Sequence, residues 1–198
     1  MDNPMILVGI AGLGHAVGTT HFALMTAEYL AGVKRKKTAL VEWNPGCAFR
    51  KIAAVYGGRE ENTVRAGTCG SFHLMETVLY TEGDPGLLIR LGNTGYAACV
   101  IDFGVMREEI RSEYFRCTRR FAVAAATRWQ VADLAEFAAG EGKKSHCEYV
   151  ASFGGRRQLD LAERYLGIRI GRVPPSGDPC VIDGKTMAFL GRLWRGGL

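Results

Sequence analysis

The segment Ile10 to Phe22 reads IAGLGHAVGTTHF, a composition suited to a turn that holds phosphate. Gly12, Gly14 and Gly18 permit backbone angles that other residues resist. Thr19 and Thr20 supply hydroxyls for a phosphate oxygen or a magnesium ion. His15 and His21 have no Ser or Cys nucleophile beside them, so they read as structural or solvent-facing groups. Two other apolar runs end in acids: Glu42 in ALVEWN and Asp102 in CVIDFG. A carboxylate at a strand end either caps a turn or faces a cation.

These residues need elements to position them. Met5 to Ala11 is a short apolar run that fits a buried strand. A helix is expected from Thr19 to about Gly32, with Phe22, Met25, Tyr29 and Leu30 at helical spacing. The Gly-rich turn then lies between strand and helix, where a helix N-terminus and a run of N–H groups bind anions. Further strands are expected at Thr38–Glu42, Phe72–Tyr80, Ala97–Phe103, Phe121–Ala126, Glu148–Phe153 and Ile168–Val173. Further helices are expected at Phe49–Val55, Pro85–Leu91, Glu108–Arg119, Val131–Ala139, Leu159–Leu166 and Asp183–Trp194. Asp84 and Pro85 supply an N-cap and a first-turn proline. Glu60 to Gly70 reads as an irregular loop, and Gly57-Gly58 should end the helix before it. Strands apolar throughout, alternating with helices, imply a three-layer α/β fold: a mostly parallel sheet with helices on both faces. Ligands of such sheets bind along the C-terminal strand edge.

The turn resembles the deviant Walker A motif, KGGxGKTT, of the MinD/ParA family of P-loop NTPases. On that pattern Gly14 stands at the first lysine, His15 and Ala16 at the two glycines, and Val17 at the variable position. Gly18 matches, Thr19 stands at the second lysine, and Thr20 matches the magnesium-binding threonine. CpaE/TadZ-type pilus localisation proteins carry similarly eroded loops, typically GVGATT. CVIDFG resembles the Walker B strand, with Asp102 facing magnesium through water. ALVEWN resembles the strand ending in DxD, with Glu42 at the first acid and Asn44 at the second, which is credited with orienting the attacking water. Ser152 stands where the family often has an asparagine beside adenine, and Pro174 matches the proline whose following backbone borders it. The resemblance covers Met5 to about Asp178.

It implies ATP or ADP with magnesium, held by Gly14, His15, Ala16, Val17, Gly18, Thr19, Thr20 and Pro174, with Thr20 and Asp102 serving the metal. Loss of a charged phosphate contact weakens binding by roughly 1.5–3 kcal/mol. Hydrolysis should suffer more, because Asn44 cannot act as an acid; Arg156-Arg157 or a partner's arginine would have to compensate. The implied function is nucleotide binding, or its vestige, in localisation or assembly with little or no hydrolysis. Tad-type pilus assembly is the most specific context. A homodimer and an assembly-protein partner are implied. The alternatives are a slow ATPase or a small-molecule ligase or kinase on the same scaffold, or a scaffold that binds no nucleotide.

The chain of 198 residues suits one domain, 1–198. No apolar run is long enough to span a bilayer, and no signal peptide is recognisable. The six cysteines form no CxxC pair, which suggests a reduced, cytoplasmic protein. Cys69 with His73, or His146 with Cys147, matches no common zinc spacing. The net charge is +5, with basic clusters at Lys34–Lys37, Arg116–Arg120, Arg156-Arg157 and Arg192–Arg195. No aromatics interleave with them, so they read as solvated helix ends rather than a nucleic-acid surface. Trp43 and Trp129 read as packing residues. The stretch Lys185 to Leu198 has two readings. Met187, Leu190, Leu193 and Trp194 share a helical face beside Lys185, Arg192 and Arg195, which suits an anionic membrane surface and resembles the C-terminal targeting segment of MinD. The same stripe suits a last helix packed on the sheet. Burial of Trp194 separates the two.

Overall fold

The computed structural model describes residues 4–56, 70–127, 130–141 and 146–195. The first apolar run forms β1 (Ile6–Gly12), and Thr19 opens α1 (Thr19–Glu28), which runs on through a wider π-helical turn at Tyr29–Val33. Then follow β2 (Thr38–Glu42), α2 (Ala48–Tyr56), β3 (Ser71–Leu74) and β4 (Thr77–Tyr80). The chain continues with α3 (Pro85–Asn93), β5 (Ala98–Val105), α4 (Glu108–Arg116), β6 (Arg119–Ala125) and α5 (Val131–Glu141). It closes with β7 (Cys147–Phe153), α6 (Arg156–Leu166), β8 (Ile170–Arg172) and α7 (Gly184–Leu193). The expected cap of α3 is present: Asp84 Oδ1 accepts from Leu87 N at 2.9 Å.

Two expectations are corrected. The single strand expected over Phe72–Tyr80 is an antiparallel hairpin, β3 and β4, turning at Met75 with φ 48°. Met75 and Glu76 are not turn formers by type, so the chain reversal left little trace in the sequence. The helix expected to reach Arg119 stops at Arg116, and Arg119 instead opens β6. The expected loop over Glu60–Gly70 lies, apart from Gly70, outside the described residues, as do Gly57-Gly58, Cys69 and Trp129.

The strands form one sheet in the order β3-β4-β2-β5-β1-β6-β7-β8, parallel except for β3 against β4. Alternate residues of each strand feed opposite faces. Val8, Ile10, Leu40, Val100, Phe121 and Val123 pack beneath Phe22, Phe49 and Phe189, so α1, α2 and α7 cover one face. Ala39, Cys99, Ile101, Phe103, Ala124 and Ala151 point the other way. There they meet Leu87, Ile110, Tyr114, Leu134 and Leu159, so α3, α4, α5 and α6 cover the second face. The result is the three-layer α/β architecture expected, with strands buried on both sides.

α7 lays its apolar face on this core. Trp194 is 2% exposed and its ring lies 6.1 Å from that of Phe121. Arg119 stacks over the Trp194 ring at 4.2 Å and donates to the Leu193 carbonyl at 2.9 Å. Leu190 and Trp194 are buried against the sheet, while Leu193 is half-buried and Met187 is 45% exposed, so the packed-helix reading of Lys185–Leu198 holds for the described residues up to 195. Trp43 likewise packs, its ring 5.9 Å from Phe103. Among the described residues no helix is long and apolar enough to cross a membrane.

The chain leaves β1 towards β2 on one side and leaves β5 towards β6 on the other. Neighbouring strands whose connections part in this way leave a crevice at their C-terminal ends, where open α/β sheets bind ligands. Here that crevice lies between β1 and β5.

Candidate functional site

The loop after β1 is pinned at its root. Met106 N donates to the Gly12 carbonyl at 2.8 Å, and Leu13 N to the Val123 carbonyl at 2.8 Å. Gly18 precedes α1 with φ 90°, an angle that favours glycine. A side chain at Gly18 would also strike Ser152 Oγ, which is buried and has no hydrogen-bond partner among the described residues. Ser152 is not among the residues lining the cleft, so it buttresses the back of the loop rather than the place where the family's asparagine would meet a base. Ala16 takes φ 55° with a side chain attached, a strained choice where the family pattern has glycine.

The loop frames a cleft of about 530 Å³. One wall is the loop itself, from Gly14 through His15, Ala16, Val17, Gly18, Thr19 and Thr20 to His21. The facing walls are Asn44–Gly46 after β2 and Gly104, Val105 and Arg107 after β5. The first turn of α1 has no side-chain cap, so its N–H groups remain available to an anion. Thr20 Oγ1 donates to Asp102 Oδ2 at 2.6 Å. Gly104 N donates to Asp102 Oδ1 at 3.0 Å, which the left-handed Gly104 makes possible. Asp102 is fully buried, and that burial pushes its carboxyl above the usual range, against the hydrogen bonds from Thr20 and Gly104.

Glu42 does not face the cleft. Its two carboxylate oxygens accept from Ala48 N at 2.6 Å and Phe49 N at 3.2 Å, holding the start of α2. Burial raises its pKa, and those two N–H groups lower it. Asn44 does line the cleft, and its amide bridges two backbone groups. Nδ2 donates to the Asp102 carbonyl at 3.0 Å and Oδ1 accepts from Gly46 N at 2.9 Å. Asn44 thus ties the end of β2 to the end of β5. A side chain at Gly104 would collide with it.

Thr19 is buried, and Val17 belongs to the core beneath the loop. His21 is half-buried; burial lowers its pKa and Asp178 partly restores it. Pro174 stands outside the cleft lining, although Val173 N donates to the Ala151 carbonyl at 3.0 Å and so keeps this segment against β7. Arg156 and Arg157, candidates for the missing positive charge, line a separate surface cleft with Asp160, Leu161 and Arg164. Among the described residues no group of three or more His, Cys, Asp or Glu is placed to hold a metal, and His146 with Cys147 forms no such group. The thiol of Cys147 instead lies 3.1 Å from the Tyr114 hydroxyl.

Sequence reasoning missed Arg107. It lines the cleft from the β5 side at the position preceding α4. The available signal was its closeness to Asp102 in CVIDFGVMR, but the strand's end at Val105 and the turn that sets residue 107 at the rim of the cleft are visible only in three dimensions.

No family model matches the chain, and no curated protein does. Solved structures do. The MinD of the MinC:MinD cell division complex of Aquifex aeolicus superposes with a TM-score of 0.73 at 13% identity, over 98% of this chain and 97% of that one. A plasmid partition protein from Borrelia burgdorferi bound to AMPPNP gives 0.69 at 14%, over 99% and 100%. A ParA family ATPase from Chlorobium tepidum gives 0.67 at 13%, over 97% and 94%. Sheet order, covered faces and full-length superposition agree: the chain has the MinD/ParA-like α/β fold.

Proposed function

We propose that this chain binds the phosphates of ATP or ADP with magnesium in the β1/β5 cleft, weakly and with negligible turnover. On this reading it acts as a positioning or assembly factor. The observation that carries it is the Thr20–Asp102 pair, two oxygen donors joined at 2.6 Å beside the uncapped first turn of α1. Magnesium prefers oxygen and often takes only one or two protein oxygens, with phosphates and water completing its shell. The donor set fits that habit. Bound there, the ion would neutralise phosphate charge, while the N–H groups of Gly14–Thr20 would hold the phosphate oxygens.

Weak binding and poor hydrolysis rest on what the cleft lacks and on what its neighbours already do. Among the described residues no lysine lines the cleft, and Asp102, buried behind Thr20, is the carboxylate beside it. Glu42 and Asn44, at the family's two acidic positions, are engaged in backbone hydrogen bonds that hold α2 and the strand ends. Asn44 carries no charge with which to draw a proton from a water, and Glu42 is turned away from the cleft. The chain's structural neighbours, a MinC:MinD cell division complex and plasmid partition proteins, support a role in positioning through a protein partner or a second copy. Residence in the cytoplasm and a Tad-type pilus context belong to the same proposal, supported by the eroded loop AVGTT.

Calorimetry of the full chain with ATP and with ADP, each with and without magnesium, tests this. Thr20→Ala and Asp102→Ala should abolish the magnesium-dependent part. Affinity untouched by both substitutions would remove the site. A phosphate-release assay should stay near background; turnover near one per second, lost on loop mutation, would refute the claim of negligible hydrolysis.

A further inference from the structure

We infer that Arg107 supplies the positive charge that this phosphate loop lacks, by contacting the terminal phosphate of a magnesium-bound nucleoside triphosphate. The inference rests on the nucleotide reading above and adds to it a recognition element from outside the loop. Three observations converge. Arg107 lines the cleft from the chain that leaves the Asp102 strand. Among the described residues its guanidinium makes no ion pair and no hydrogen bond, while Arg50, Arg111, Arg116 and Arg119 are each paired with an acid. Among the described residues it is also the only Lys or Arg lining the cleft, the other cationisable groups there being His15 and His21.

Its place on the wall decides which phosphate it meets. Met106 N is bonded to the Gly12 carbonyl, so residue 107 emerges beside the entry of the loop, away from the body of α1. The Thr20–Asp102 pair marks the place of the cation. In P-loop sites magnesium bridges the last two phosphates. A guanidinium on the chain that leaves Asp102 therefore flanks the terminal one. Arginine suits this work, since its planar fork pairs bidentately with phosphate oxygens and it stays charged at all working pH values. The backbone of Arg107 is extended and starts α4 without using its side chain as a cap, so nothing in the fold requires that side chain.

The test uses the purified full chain in calorimetric titrations with ATP, ADP and inorganic tripolyphosphate, all with magnesium. Arg107→Ala, Arg107→Lys and Thr20→Ala are compared with the wild type. Arg107→Ala should weaken ATP and tripolyphosphate by about ten- to a hundredfold, the worth of one charged contact. ADP should lose much less. Arg107→Lys should recover part of the loss, and the ATP affinity of Arg107→Ala should depend less steeply on salt. Thermal unfolding of both Arg107 variants should match the wild type. If Arg107→Ala binds ATP like the wild type while Thr20→Ala does not, the site stands and the role of Arg107 is overturned. If ATP and ADP fall equally, the assignment to the terminal phosphate is overturned. If the wild type binds none of the three ligands, the nucleotide reading and this inference fall together.

Discussion

Ala16 holds a left-handed angle, φ 55°, that a side chain makes costly. The conformation costs an L-residue roughly 1–2 kcal/mol. Glycine relieves that cost and gives back about 0.5–1 kcal/mol in chain entropy. Ala16→Gly should therefore leave stability unchanged or raise it by up to about 1.5 kcal/mol, as denaturant unfolding would register. A clear loss of stability would mean that the Ala16 methyl makes a contact outweighing its strain. At this scale the sequence was partly legible. The alignment placed Thr20 and Asp102 together, and they hydrogen-bond. It also set Glu42 and Asn44 at the positions of the family's acids, and both side chains hydrogen-bond backbone groups. Residue type alone does not say whether a carboxylate at a strand end turns towards a cleft or towards the next helix.

At the scale of elements, α1 ends in a buried acid. Glu28 is 3% exposed and accepts from Glu76 N in the β3–β4 turn at 3.3 Å. Burial pushes its carboxyl up to about 7, and the charges nearest it, Glu76 and Asp178, are of its own sign. The folded state thus holds a proton that the unfolded chain releases near pH 4.5. The stability this proton supports is fully present below that value and is lost as pH rises through about 7. Glu28→Gln should flatten that decline and leave the variant more stable than wild type at pH 8, as thermal melts at pH 5 and pH 8 would record. An unchanged pH profile would show that another group controls it. At the other end, Trp194→Ala should cost about 3–5 kcal/mol, as for large buried aromatics. The intact chain should stay with the soluble fraction when floated with anionic vesicles; flotation would show that α7 can leave the sheet. Periodicity gave α7 its helix, but a core helix and a membrane-surface helix share one stripe, and only the packing against Phe121 and Arg119 separates them.

For the whole molecule, the order of apolar strands and amphipathic helices was enough to read the three layers and the parallel sheet. The hairpin at β3–β4 was not, because the pattern of a short reversal without Gly, Pro or Asn is indistinguishable from one longer strand. Whether the chain folds as one unit follows from the sheet. Its strands are continuous from β3 to β8, and each face is closed by helices from both halves of the chain. We expect calorimetric unfolding as a single transition, with van't Hoff and calorimetric enthalpies equal. Two resolved transitions would divide the chain into separate domains. The margins of that sheet carry a last consequence. β3 has 4 residues and β8 has 3, and Pro174 and Pro175 follow Val173 just beyond β8. A longer bare strand would offer a ladder of free amides on which another molecule could template itself. Here the ladder is a few rungs long at each margin, and the prolines at one end have no amide hydrogen to extend it. Joined to a net charge of +5, such blunt margins should keep concentrated solutions of the folded protein from stacking into fibrils.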